Sequence, residues 1–254
     1  AFTGSTPAGR RIAEVCGRLL RPVTLVLGGK AAAIILDDAD LTSTVSGLAG
    51  VSFANNGQTC HLSTRVLAPA ARYAEVLEAV SELARALPVG DPLEPATAIG
   101  PMVSRRHRER VEGYIASGLA QGARLTAGGG RPAHLDRGWY VEPTVFGDVR
   151  NDMAVAQEEI FGPVHTVTPY ATDNEAVALA NASEFGLGGS VWTSDPERGL
   201  ALARRVRTGT IGVNGYALDF ASPFGGYKAS GLGRELGPEG LDSYLQLKSV
   251  YLRG

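Results

Sequence analysis

Val23-Thr24-Leu25-Val26-Leu27-Gly28-Gly29-Lys30-Ala31-Ala32-Ala33-Ile34-Ile35-Leu36-Asp37-Asp38-Ala39-Asp40-Leu41 is the stretch that decides the fold class. It holds two short apolar runs, at 23–27 and 31–36, separated by Gly28-Gly29. Short apolar runs bounded by glycine read as buried strands. Three aspartates then precede a helical pattern over 41–54, where negative charge favours a helix amino end. A further strand is expected at 63–68. Strand, crossover helix and strand form the unit of a parallel sheet.

On the amino side, Ser5-Thr6-Pro7 reads as an N-cap with a proline in the first turn of an amphipathic helix reaching about residue 20. No strand is expected ahead of that helix, so the chain reads as one cut before its first element. Downstream, apolar residues at three-to-four spacing over 72–87 and 104–121, with charged opposite faces, predict two surface helices. Strands are expected near 140–146 and 164–169, then a helix at 173–181, a strand at 189–193, a helix at 196–206 and a strand at 208–213. Gly237-Pro238 opens a last helix. Leu247-Lys248-Ser249-Val250-Tyr251-Leu252 reads as an exposed final strand, an edge of the kind that pairs with another domain or subunit. The alternation predicts an α/β fold: a mostly parallel twisted sheet flanked by helices.

The 254 residues include 24 Lys+Arg and 26 Asp+Glu, for a net charge of −2, and 44% are hydrophobic. That balance supports a sizeable core and argues against partners such as nucleic acid or anionic lipid. No apolar run approaches the roughly 20 residues of a membrane helix, and no signal peptide opens the sequence. Two cysteines, Cys16 and Cys60, are too few for a disulfide framework, so a cytoplasmic setting is expected. The 33 glycines exceed the roughly 7% of average usage without forming a repeat, and so mark tight turns between elements.

Chemistry concentrates in four segments. Asn55-Asn56-Gly57-Gln58-Thr59-Cys60 presents a cysteine at the end of a tight turn after a helix. It reads either as a nucleophile, whose thiolate needs local stabilisation, or as an inert buried thiol. Cys16, inside the amphipathic helix, reads as core. Gly28-Gly29-Lys30 lacks phosphate-loop spacing and reads alone as a turn, while Gly4-Ser5 at a helix start is a weak anion site. Glu158-Glu159-Ile160-Phe161-Gly162-Pro163 pairs carboxylates beside an aromatic, either as a solvated loop or as a holder of sugar hydroxyls. Residues 223–235 form a long glycine-rich loop of the kind that often carries function. His61, His107, His134 and His165 show no metal-ligand spacing, so no metal is expected, and His61 beside Cys60 would ordinarily point away from it.

Together these segments resemble the aldehyde dehydrogenase superfamily over essentially the whole chain. The residues that carry the likeness are Phe2-Thr3-Gly4-Ser5-Thr6, Leu27 to Lys30, Asp37 to Leu41, Gly57-Gln58-Thr59-Cys60, Glu158 to Pro163, and Pro223 to Lys228 with Gly233 to Gly237. The resemblance implies oxidation of a small-molecule aldehyde to a carboxylic acid, with NAD or NADP as cofactor. Cys60 would attack the aldehyde to form a thiohemiacetal, then a thioester that water hydrolyses. It implies Gly4, Ser5, Leu27, Gly28, Glu159 and Phe161 at the cofactor: Gly4 and Ser5 at the pyrophosphate, Glu159 on the nicotinamide ribose, Phe161 beside the nicotinamide. Phe224 would line the substrate tunnel and Glu235 would act near the thiol through water.

The resemblance divides the chain into 1–28, the end of a dinucleotide-binding domain; 29–228, the catalytic domain; and 229–254, a helix and an oligomerisation strand that makes a homo-oligomer. Two departures stand out. Val26 occupies the position where the family usually has its general-base glutamate, and the family's amino-terminal half, with most of the cofactor domain, is missing. Three readings therefore remain open: a partial aldehyde dehydrogenase, a cofactor-independent Cys60 (thio)esterase or acyl transferase to coenzyme A, and an inactive oligomerising remnant.

Overall fold

The structure is a computed structural model that describes residues 1–254. In chain order the strands are β1 (Phe2–Thr3), β2 (Leu25–Val26), β3 (Ala32–Ile35), β4 (Arg65–Pro69), β5 (Arg124–Ala127), β6 (Thr144–Gly147), β7 (Val164–Tyr170), β8 (Gly189–Trp192), β9 (Gly212–Val213) and β10 (Gly231–Leu232). The helices are α1 (Thr6–Arg18), α2 (Leu41–Ser52), α3 (Tyr73–Ala86), α4 (Arg105–Ala120), α5 (Ala154–Gln157), α6 (Asp173–Asn181), α7 (Pro196–Ala203) and α8 (Gly237–Asp242).

Seven strands form one sheet in the order β5-β6-β7-β4-β3-β8-β9, parallel throughout except at the β5–β6 edge. Alternation along the strands sorts the core. Ala33, Ile35, Val66 and Ala68 face Leu48 and Val51 of α2 and Val76, Leu77 and Val80 of α3. Ala32, Ile34, Leu36 and Leu67 face Ala176, Val177 and Ala180 of α6 and Leu202 of α7. A strand covered on both faces must be apolar at every position, which is why 31–36 reads as an unbroken run. A third cluster packs α4 and α5 over Phe146 and Val164. No helix is long and apolar enough to cross a membrane.

A second sheet of three strands departs from expectation. β1 precedes the first helix after all and pairs in parallel with β2, while β10 returns to pair antiparallel with β2. Only backbone geometry reveals these two-residue ladders, which carry no periodicity. β5 was also unmarked, because three of its four residues are not buried and the apolar pattern is correspondingly weak. The expected strand at 208–213 shrinks to Gly212–Val213. Residues 247–252 form no strand: Leu247, Tyr251 and Leu252 are almost fully exposed, and within the chain nothing pairs with them. A strand without a hydrogen-bonded neighbour has no ladder to hold it.

Candidate active site

Three loops meet at the amino ends of β3, β4 and β7. The first follows α2. Asn55 and Asn56 adopt left-handed backbone angles (φ 49° and 60°) and Gly57 continues the turn at φ 73°. Asparagine tolerates this region because its side chain can bond the local backbone. Asn55 Nδ2 donates to the Gln58 carbonyl at 3.0 Å. Asn56 accepts from the Gly100 amide at 2.6 Å and donates to the Pro101 carbonyl at 3.2 Å, while Gln58 accepts from the Val103 amide at 2.9 Å. The turn is thus pinned to residues 100–103. A Cβ on Gly57 would overlap the Gly162 carbonyl, so this loop and the one before β7 are in direct backbone contact.

Cys60 ends the turn half-buried, packed against Val26, Leu187 and Phe224. Burial pushes its thiol up to about 11, and the charges of Glu159 and Glu235 add to the shift against the opposing backbone hydrogen bonds of Cys60 and His61. The resting side chain is therefore a protonated thiol at neutral pH. His61 shares Phe224 with the thiol. Its ring stacks on Tyr216 at 5.0 Å between centroids and meets Phe224 edge-on at 6.0 Å, and burial lowers its pKa.

The second loop is Gly28-Gly29-Lys30, which reads from sequence as a simple turn but is fully buried here. The Gly29 amide donates to Glu159 Oε1 at 3.0 Å, and a Cβ on Gly28 would fall 2.5 Å from Glu159 Oε2. Glycine lets the carboxylate lie against the backbone. Lys30 is buried with no acceptor for its Nζ, and its pKa is lowered to about 7 by burial and by the Arg65 charge.

The third loop splits the two glutamates. Glu158 is exposed and accepts from Tyr114 Oη at 2.6 Å. Glu159 turns inward, its pKa raised by burial against the Gly29 amide and the charges of Arg110 and Lys30. Phe161, at φ 63°, is held by its carbonyl contact with His107 Nε2 at 2.5 Å, and Arg110 donates to the Glu159 carbonyl at 2.7 Å.

One cavity of about 1080 Å³ is lined by Gly4, Ser5, Leu27, Gly28, Cys60, Glu159 and Phe161. The remaining two sequence candidates do not line it. Phe224 lines a neighbouring cavity of about 490 Å³ with Tyr216. Glu235 exchanges backbone hydrogen bonds with Phe224, 2.7 Å each way, and its charge reaches Cys60. Sequence reading missed the supports: His107, Arg110 and Tyr114 on α4, Asn56, and Ser230, whose hydroxyl donates to the Gly28 carbonyl at 2.6 Å and accepts from the Gly186 amide at 2.9 Å. The one available signal was the i, i+3, i+7 spacing of 107, 110 and 114 on a helix read as a solvated surface. No group of three or more His, Cys, Asp or Glu side chains is placed to hold a metal ion.

A model of the aldehyde dehydrogenase family matches residues 1–250. The chain belongs to that family. Among its aldehyde dehydrogenase relatives, "Geranial dehydrogenase" of Castellaniella defragrans is 56% identical over 254 residues, which is 100% of this chain and 53% of that protein. "Betaine aldehyde dehydrogenase" of Rhizobium etli is 47% identical over 254 residues, covering 99% of this chain and 52% of that protein. The crystal structure of a Mycobacterium tuberculosis aldehyde dehydrogenase complexed with NAD+ matches with a TM-score of 0.97 at 53% identity, over 99% of this chain and 52% of that one. The chain spans about half the length of the curated relatives it matches.

Proposed function

We propose that this chain is the catalytic half of an NAD(P)-dependent aldehyde dehydrogenase, with Cys60 as the nucleophile. The observation that carries the reading is the single cavity that gathers Gly4-Ser5, Gly28, Cys60 and Glu159-Phe161 from four separate segments. Its residues suit a dinucleotide. Glu159 is a half-buried carboxylate whose one side-chain partner is the Gly29 amide, which leaves lone pairs for ribose hydroxyls. Ser5 stands at the N-cap position of α1 without a side-chain capping bond, which leaves the helix amino end open to pyrophosphate. Phe161 stands at the cavity wall as the nicotinamide's neighbour, and Leu27 and Gly28 form its floor. When bound, NAD(P)+ accepts the hydride that leaves the substrate carbon.

Cys60 adds to the aldehyde carbon, and after hydride loss the acyl group remains on sulfur as a thioester. Because burial holds the thiol protonated, it must give up a proton before attack; Glu235 takes that proton through water. Phe224, Tyr216, Ile211 and Leu218 give the neighbouring cavity an apolar wall, which supports an apolar aldehyde as substrate. We read 1–28 as the end of the cofactor domain, 29–228 as the catalytic domain, and 229–254 as an oligomerisation tail through exposed Leu247–Leu252. Two free cysteines suit a cytoplasmic setting.

A chimera tests the activity. The amino-terminal half of the geranial dehydrogenase, fused ahead of Ala1, should reduce NAD(P)+ in the presence of terpenoid or alkyl aldehydes and lose that activity in Cys60→Ala. A folded chimera without cofactor reduction on any aldehyde would sink the reading. Val26 favours a second outcome in the same site: it is a buried apolar wall where a proton acceptor would be needed for hydrolysis, so transfer of the acyl group from Cys60 to the thiol of coenzyme A is its competitor.

A further inference from the structure

Hydrolysis of a thioester on Cys60 requires a water that loses a proton as its oxygen attacks the carbonyl carbon. The apolar residues that Cys60 packs against, Val26, Leu187 and Phe224, cannot take it. Four titratable side chains surround this point. Glu159 is committed to the Gly29 amide on the cofactor side. Tyr216 shares a 2.7 Å hydrogen bond with Thr210, and its raised pKa keeps it a neutral phenol. Glu235, whose side chain touches only Thr3 Oγ1 at 3.5 Å, already holds the proton it took from the Cys60 thiol before attack. His61 remains. It is bonded directly to Cys60 along the chain, its ring meets edge-on the same Phe224 that Cys60 packs against, and the sole cause of its pKa shift is burial, with no hydrogen-bonded partner on the ring. A neutral imidazole with free nitrogens, fixed between two aromatic rings, is a ready proton acceptor.

We propose that His61 is the catalytic base for deacylation, in the place of the carboxylate that Val26 excludes. One ring nitrogen of His61 takes a proton from water while the water oxygen bonds to the acyl carbon. The C–S bond then breaks, the carboxylic acid leaves, and the imidazolium returns its proton to the Cys60 sulfur. The inference rests on Cys60 being the nucleophile, and its test needs no cofactor.

The 254-residue chain is mixed with less than one equivalent of p-nitrophenyl acetate and quenched into acid at intervals. Intact mass spectrometry reads the acetylated fraction, and peptide mapping locates the acetyl group. In the wild-type chain, acetyl-Cys60 should form and then decay. His61→Gln, and His61→Phe, which keeps the aromatic stack, should acetylate and then decay about 10²-fold more slowly or worse, the usual worth of a general base. Wild-type decay should also slow as pH falls below 6.5, the ordinary imidazole value. The groups facing His61 do not mimic this limb: Cys60 is acylated, Tyr216 stays neutral, and Glu159 and Glu235 are checked by their glutamine variants. His61→Gln should lose the limb. Equal decay in both His61 variants, or slowing by Glu235→Gln alone, overturns the inference. Failure of Cys60 to acetylate at all overturns the nucleophile reading as well, and is seen separately at the first step.

Discussion

The two ends of the large sheet are built in opposite ways. At the carboxyl ends of β3, β7 and β8, each charge is answered. Asp38 accepts from the Thr193 hydroxyl at 2.7 and 2.8 Å and from the amides of Ser194 and Asp195, and Arg198 bridges Asp37 at 2.6 Å and Asp173 at 2.8 Å. Asp40 and Asp195 cap α2 and α7. At the amino ends, three non-glycine residues of the loops around the thiol (Asn55, Asn56 and Phe161) are left-handed, Lys30 is buried without an acceptor, and both Cys60 and Glu159 are pushed toward their neutral forms by burial. Each left-handed residue costs about 1 kcal/mol. Left-handed residues also follow β6 and β9 (Asp148 and Asn214), so the difference lies in the polar groups: one rim answers its charges, while the other keeps unmet polar groups where a ligand can meet them.

The sharpest break comes from removing the thiol. Cys60→Ala should reduce alkylation by iodoacetamide at this position and ester-driven p-nitrophenol release to background; retained release would move the chemistry to another group. In the wild-type chain, alkylation should rise about tenfold per pH unit from neutrality, since only thiolate reacts and the thiol titrates high.

Gly57→Ala should cost about 2–4 kcal/mol in denaturant unfolding, from a left-handed alanine together with the clash at Gly162. Full stability in that variant would mean that the two loops are not in backbone contact.

Lys30 gives a smaller effect with a defined sign. Its pKa falls from 10.5 unfolded to about 7 folded, so between those values the unfolded state binds more protons and stability rises with pH. Cys60 acts oppositely: its thiol rises from 9.0 to about 11, so stability is lost as pH climbs through that interval. The Lys30 slope is therefore cleanest from pH 7 to 9, up to about 1.4 kcal/mol per pH unit. Lys30→Met should flatten it in thermal melts; an unchanged slope would show that another group carries the pH dependence.

At the other rim, Arg198→Ala should cost only about 1 kcal/mol, because the pairs are partly exposed, and the loss should shrink in high salt. A loss as large as that of Gly57→Ala would erase the contrast between the rims.

Much of the helical frame was legible beforehand. The span 173–181 emerges as α6 with the expected ends, because Thr172 caps its start and the acidic first turn marks it. Helices α3 and α4 lie where apolar spacing put them. The small sheet was not legible, since pairs as short as Phe2–Thr3 with Leu25–Val26 leave no pattern along the chain. Nor was the final segment's lack of pairing, because 247–252 has strand composition and only a neighbour decides whether a strand forms.

The sequence alone determined that Cys60 ends a glycine turn, that Val26 is no base, and that apolar runs bury strands on both faces. These follow from side-chain chemistry and from periods of 2 and 3.6 residues, which are local. Tertiary structure alone decided that Glu159 and not Glu158 turns inward, that Lys30 is buried, and that α4 lends His107, Arg110 and Tyr114 to the loops around the thiol. Those outcomes depend on which loops meet at one end of a sheet. Residues as far apart as Gly29 and Glu159 come into contact only when the strand order β7-β4-β3 is set.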